Sequence, residues 1–154
     1  MSSFVTVRDV LENVRSFRKQ LKEFYRTLAE TTDKRELQIY LAYMTRHEEN
    51  FEKILSEHDG EGTNHKLDTW MQYGPENAGF TLPALQALDP ATMCVEEAER
   101  LAITAETAIL SYFTAAAKSV QGADPHALLE QLAEQQQSDI DILKQASGSL
   151  RQNA

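Results

Sequence analysis

Apolar residues recur at intervals of three and four over four long stretches of the chain. The clearest runs from Leu37 to His58. Leu37, Tyr40, Leu41, Met44, His47, Phe51, Ile54, Leu55 and His58 share one helical face there, with Arg46, Glu49, Glu52 and Lys53 largely on the other. Before it, Val7, Val10, Leu11, Val14, Phe17, Leu21, Phe24, Tyr25 and Leu28 make a stripe close to a strict heptad. That stripe predicts a helix over 6–31, capped by Thr6 or Ser3. Thr31-Thr32-Asp33 interrupts it, and Asp33 can cap the second helix. A third helix is predicted over 93–120 from Val95, Ala98, Leu101, Ala102, Ala105, Ile109, Tyr112, Phe113, Ala116 and Val120. Leu128, Leu132, Ile142 and Leu143 mark a fourth, over about 125–146, with Asp124 as its cap and Pro125 at its first helical position. The tail from Ser147 onward is expected to fray.

The connections decide how these helices pack. Short links after the first and third make two antiparallel helix pairs. Between the pairs, residues 59–92 hold Gly60, Gly62, Gly74 and Gly79 with Pro75, Pro83 and Pro90, too many breakers for a long helix. One short amphipathic turn is expected near Leu67 to Tyr73, where Leu67, Trp70 and Met71 can cover part of the bundle. The fold class is therefore all-α: a four-helix bundle occupying 1–154 as one domain, with a crossover over about 59–92. A crossover of that length can run along a bundle roughly 36 Å long, at about 1.5 Å per helical residue.

Composition narrows the function classes. Hydrophobic residues make up 42% and charged residues 25%, a globular rather than a disordered mix. A net charge of -9 with no basic patch argues against nucleic acid. Cys94 is the only cysteine, so neither an internal disulfide nor a cysteine-based zinc site is available. The N-terminus lacks the charged start and apolar run of a secretory signal, and no stretch approaches the length of a membrane span. A cytoplasmic protein is the expectation.

The two helix pairs resemble each other. Phe24-Tyr25 in the first helix corresponds to Tyr112-Phe113 in the third, and Leu41-Ala42 in the second to Leu132-Ala133 in the fourth. These matches imply a register shift of three residues, taken up in the turn at 119–126. An up-down pair repeated across a long crossover resembles the ferritin-like superfamily, and its rubrerythrin branch in particular, over nearly the whole chain.

That resemblance implies a centre of two metals. Each half supplies a glutamate six residues before an aromatic pair and a Glu-x-x-His on the next helix. Carboxylates and imidazoles suit iron or manganese, and residues three apart project to one side of a helix. Carried over position by position, the glutamate of the third helix is Glu106, while the equivalent in the first is Arg18. The second-helix motif falls on Met44 to His47, keeping the histidine only. The fourth-helix motif falls on Gln135 to Ser138, keeping neither residue. Of the six ligands only His47 and Glu106 remain. The expectation is a degenerate site in which Arg18 faces Glu106 across the bundle, within a polar layer of Arg18, Met44, His47, Glu106, Gln135 and Ser138.

Three readings follow. In the first, the bundle has lost its metal centre, holds no cofactor, is not an enzyme and serves as a binding or structural protein, as a homodimer. In the second, an altered iron or manganese site at His47 and Glu106, with Glu48 or Glu99 moving in, supports peroxide chemistry of the rubrerythrin kind. In the third, the vacated space binds a small anion at Arg18. The histidines and acids of His58 to His65 lack calcium-loop spacing and read as a solvated loop. Cys94, at a helix start, reads as incidental.

Overall fold

The structure is a computed structural model describing residues 5–57, 70–71 and 92–152. Four helices carry it: α1 (Val7–Thr31), α2 (Arg35–Glu57), α3 (Val95–Ser119) and α4 (Ala123–Gln152). Two short strands, β1 (Val5–Thr6) and β2 (Trp70–Met71), pair antiparallel. The fold is the expected all-α four-helix bundle. The helical turn expected around Trp70 and Met71 is instead this strand pairing, because the extended residues before α1 offer backbone groups to an extended partner. The rest of the expected crossover, including His58 to His65, lies outside the described residues.

Local chemistry fixes the helix ends. Thr6 Oγ1 accepts from the Asp9 amide at 3.1 Å, and Asp9 Oδ2 accepts from the Thr6 amide at 2.9 Å. This reciprocal capping box starts α1 where the heptad stripe begins. At the far end the Thr32 amide donates to the Leu28 carbonyl at 3.0 Å, and the backbone turns extended. Gly122 ends the second turn of this kind with φ +106°, a conformation L side chains rarely adopt. α4 starts at Ala123, one residue after Gly122, so Asp124 and Pro125 lie inside its first turn and Asp124 is not the cap. A proline there sacrifices only an amide that would have no helical partner. The tail expected to fray continues α4 to Gln152, since one glycine at 148 weakens a helix by about 1 kcal/mol without ending it.

α1 packs on α2 and α3 on α4 as two hairpins. Lys34 Nζ donates to the Met93 carbonyl at 2.8 Å, which ties the α1–α2 corner to the residue ahead of the α3 cap. α2 and α3 therefore start at the same end of the bundle, and β1 and β2 lie at the other. The core between the hairpins is apolar along most of its length, with Leu21, Tyr25, Leu41, Met44, Ile109 and Leu129 each buried. No helix among the described residues is long and apolar enough to cross a membrane.

The two hairpins are related by one constant offset through their first helix, their turn and the start of their second helix. α1 and α3 have 25 residues each, and adding 88 to Val7–Thr31 gives Val95–Ser119; adding 88 to Arg35 gives Ala123. The connecting turns, 32–34 and 120–122, are equally long. The three-residue register shift inferred between α2 and α4 is overturned. Leu41 corresponds to Leu129, both fully buried, and Met44 to Leu132. The letters Leu-Ala matched better at the shifted register, but equal turns leave no residue to absorb a shift.

Gly122→Ala should destabilise the protein by about 1–3 kcal/mol, because it forces a Cβ onto a positive φ and within 3.3 Å of the Pro125 ring. Urea unfolding, with an unchanged slope and a lower midpoint, is the check.

Candidate functional site

Halfway along the bundle the apolar core is interrupted by one layer of charge. α1 contributes Arg18, α2 Glu48, α3 Glu106 and α4 Gln136, all at most 3% exposed. Each occupies an inward position of its helix: Arg18 follows Val14 and Phe17, and Glu48 lies four residues past Met44. Arg18 Nη1 donates to Glu48 Oε2 at 2.8 Å and Oε1 at 3.1 Å, and to Glu106 Oε2 at 3.1 Å. Its Nη2 donates to Glu106 Oε1 at 3.0 Å and to Gln136 Oε1 at 2.9 Å. Gln136 Nε2 in turn donates to Glu106 Oε1 at 2.8 Å and to the Glu106 carbonyl at 2.9 Å. Only one orientation of that amide serves both partners, so the network fixes it. One guanidinium thus ties all four helices together.

The flank is equally ordered. The Phe51 ring lies 3.8 Å from the Arg18 Cζ, an aromatic face presented to a cation. On Phe51 in turn rests His47, with ring centroids 5.1 Å apart. His47 Nε2 bonds Asp139 Oδ2 at 2.7 Å, joining α2 to α4. Its Nδ1 is buried, 3.6 Å from Glu48 Oε1, with no hydrogen-bond partner among the described residues. His47, Glu48 and Glu106 each offer one ligand-type atom, and the three lie within 4.8 Å of one another.

Burial and charge pull against each other here. Burial disfavours the Arg18 cation, yet Glu106 and Glu48 outweigh it and hold the guanidinium charged at any accessible pH. Burial also raises Glu106, but Arg18 and Gln136 more than offset it and bring that carboxyl below its usual range. For Glu48 burial prevails over Arg18, so its carboxyl is raised. For His47 burial is overcome by the hydrogen bond to Asp139 and by Glu48 and Glu106, pushing it up to about 9. Tyr25, buried in the same core, is pushed upward by burial and by the fields of Glu48 and Glu106.

The residues singled out from sequence fall into three groups. Arg18 and Glu106 meet, and His47 stands at the edge of the layer. Met44 is buried among apolar side chains and adds no polar group. Gln135 and Ser138 are exposed and lie outside the layer. Their places are taken by Gln136 and Asp139, residues missed because of the wrong register. Under the constant offset of 88, Arg18 corresponds to Glu106, Glu48 to Gln136 and Phe51 to Asp139. The second-helix motif is therefore Glu48-x-x-Phe51 and the fourth Gln136-x-x-Asp139, each with the three-residue spacing that shares a helix face. Glu99, considered as an incoming ligand, is buried on α3 seven residues before Glu106, nearly two turns away along the bundle. Cys94 precedes α3, its thiol 3.3 Å from Glu97 Oε1.

No protein-family model matches the chain, and no curated protein matches it. Among solved structures it is similar to a Thermotoga maritima protein assigned as ferritin-like and diiron-carboxylate. The identity is 14% and the TM-score 0.58, over 96% of this chain and 97% of that one. At that identity the likeness shows the fold, which is ferritin-like.

Two outcomes follow from the cluster. Arg18→Met should cost about 3–5 kcal/mol in urea unfolding, since two buried carboxylates lose their counter-charge. The triple replacement Arg18→Met, Glu48→Leu, Glu106→Leu should recover most of that loss, because an apolar layer carries no desolvation cost. The second outcome concerns pH. His47 is raised from 6.5 to about 9, so its stabilising contribution is complete below pH 6.5 and is lost as pH rises through 9. A loss of about 3 kcal/mol across that window, absent in His47→Gln, is expected from unfolding midpoints measured against pH.

Proposed function

We propose that this chain is a ferritin-like bundle whose two-metal centre has been replaced by an internal ion cluster, and that it acts as a binding or structural protein rather than as a metal enzyme. One observation carries this reading. The Arg18 guanidinium occupies the space between the two carboxylates that would otherwise meet a metal, and it uses four of its hydrogen bonds on them. A two-metal carboxylate centre needs several anionic donors around two cations. The six repeat-related positions hold one cation, one aromatic ring, one neutral amide and three carboxylates: Arg18, Phe51, Gln136, Glu48, Glu106 and Asp139. That donor set does not fit such a centre.

The cluster supplies something else. A single buried cation bonded to three helices besides its own penalises any packing in which one helix slips, since a slip strands a charge in the core. The bundle is thereby held as a scaffold in one register.

The readings compete on the same residues. An altered iron or manganese site is favoured by the proximity of His47, Glu48 and Glu106. It requires Arg18 to give up both carboxylates. An anion pocket requires Arg18 to be free, whereas it is paired twice. The cavity of about 10 Å³ beside it, lined by Arg15, Lys19, Lys22, Glu48 and Glu52, is of water size.

Elemental analysis of protein expressed with added iron and manganese, then desalted, tests the proposal. Less than about a tenth of a metal per chain is the expected result; near-stoichiometric metal that disappears in Glu106→Ala would establish the altered site instead.

A further inference from the structure

The donors around Arg18 are more complete than an ion pair requires. His47 Nε2 is held by Asp139 at 2.7 Å, which leaves Nδ1 as the free ring nitrogen. That nitrogen is buried and unpartnered among the described residues, and it lies on the Glu48 side. A histidine oriented by a carboxylate behind it is how proteins prepare an imidazole for a metal. With the three ligand-type atoms at most 4.8 Å apart, some point lies within about 2.8 Å of all of them. Roughly half an ångström of side-chain movement then brings each to the ~2.0–2.2 Å of a bond to zinc. His47 is not one of the six repeat-related positions, so this set differs from the two-metal arrangement.

We propose that Arg18 and one divalent first-row cation are alternative occupants of the same pocket: His47, Glu48 and Glu106 form a latent mononuclear site, Asp139 orients its histidine, and the guanidinium blocks it. The physical reason is substitution of charge. Glu48 and Glu106 are buried at 1% and 0% exposure and must face a cation. The chain provides that cation itself. Remove it without removing the carboxylates, and they must either take up protons or bind a metal. The guanidinium also fills the volume, so the intact protein has neither the charge deficit nor the room. This inference rests on the proposed function, and it adds that the ligand set has outlasted the site.

The test uses Arg18→Ala and Arg18→Gln, the latter retaining more of the packing, with Arg18→Lys as a control that keeps the charge. Each full-length variant, and the unchanged protein, is titrated with Co²⁺, Mn²⁺ and Zn²⁺. Bound metal is counted by equilibrium dialysis, the ligand field of Co²⁺ is read by visible absorption, and the thermal midpoint is followed. For the Ala and Gln variants the expected result is one metal per chain. Their midpoint should rise by about 5–10 °C at a metal concentration a hundred times the dissociation constant. Adding Glu48→Gln or Glu106→Gln should abolish binding, and His47→Gln should weaken it and alter the Co²⁺ spectrum. The unchanged protein and Arg18→Lys should stay empty. If Arg18→Ala does not fold alone, refolding it with metal present reads the same rescue. Folded Ala and Gln variants that take no metal, with an empty unchanged protein, would overturn this inference and leave the lost-centre reading standing. Stoichiometric metal in the unchanged protein would overturn both.

Discussion

A single guanidinium between two carboxylates, inside a largely apolar core, is the constraint on which the rest of this bundle depends. Arg18 reaches Glu48 on α2, Glu106 on α3 and Gln136 on α4. Every helix therefore has one fixed height relative to the others. Apolar stripes alone do not impose this, because leucine and alanine layers can slide by a turn at moderate cost. A buried charge cannot. The amide of Gln136 takes up what the carboxylates leave over, bonding both the guanidinium and Glu106.

Around this layer, the two sides of the molecule do different work. The side toward Phe51 and His47 is graded. A cation faces an aromatic ring, the ring meets an imidazole, and the imidazole is bonded to a carboxylate that is partly exposed. Charge is thus relayed from the centre of the core to its edge without an uncompensated step. The opposite pull of burial and field on Glu48 and Glu106 has the same origin. One cation cannot satisfy two carboxylates equally, and the one that also bonds Gln136 is favoured.

Much of the architecture was readable in the sequence because periodicity and turn chemistry are local. The stripes of α1 and α3, the Thr6 cap and the break at Thr32 each follow from neighbours within a few residues. Arg18 and Glu106 could be paired from their positions before the aromatic pairs of the first and third helices. Gln136 and Asp139 could not. α4 has a polar run, Glu134 to Ser138, in which several residues could turn inward, and pattern matching chose the wrong one. Equal turn lengths settle that register, and they follow from how Gly122 closes its turn. The strand pairing of Trp70 and Met71 was hidden for another reason: its partner, Val5 and Thr6, is far away in sequence and too short to show alternation.

The constant spacing of 88 residues between hairpins has a consequence for how the halves recognise each other. The first hairpin brings its own pair to the buried layer, Arg18 with Glu48. The second brings Glu106 with the neutral Gln136 and no cation. Two second hairpins packed on each other would bury two glutamates without a counter-charge. The second half is thus the dependent partner: it borrows its charge balance from the first.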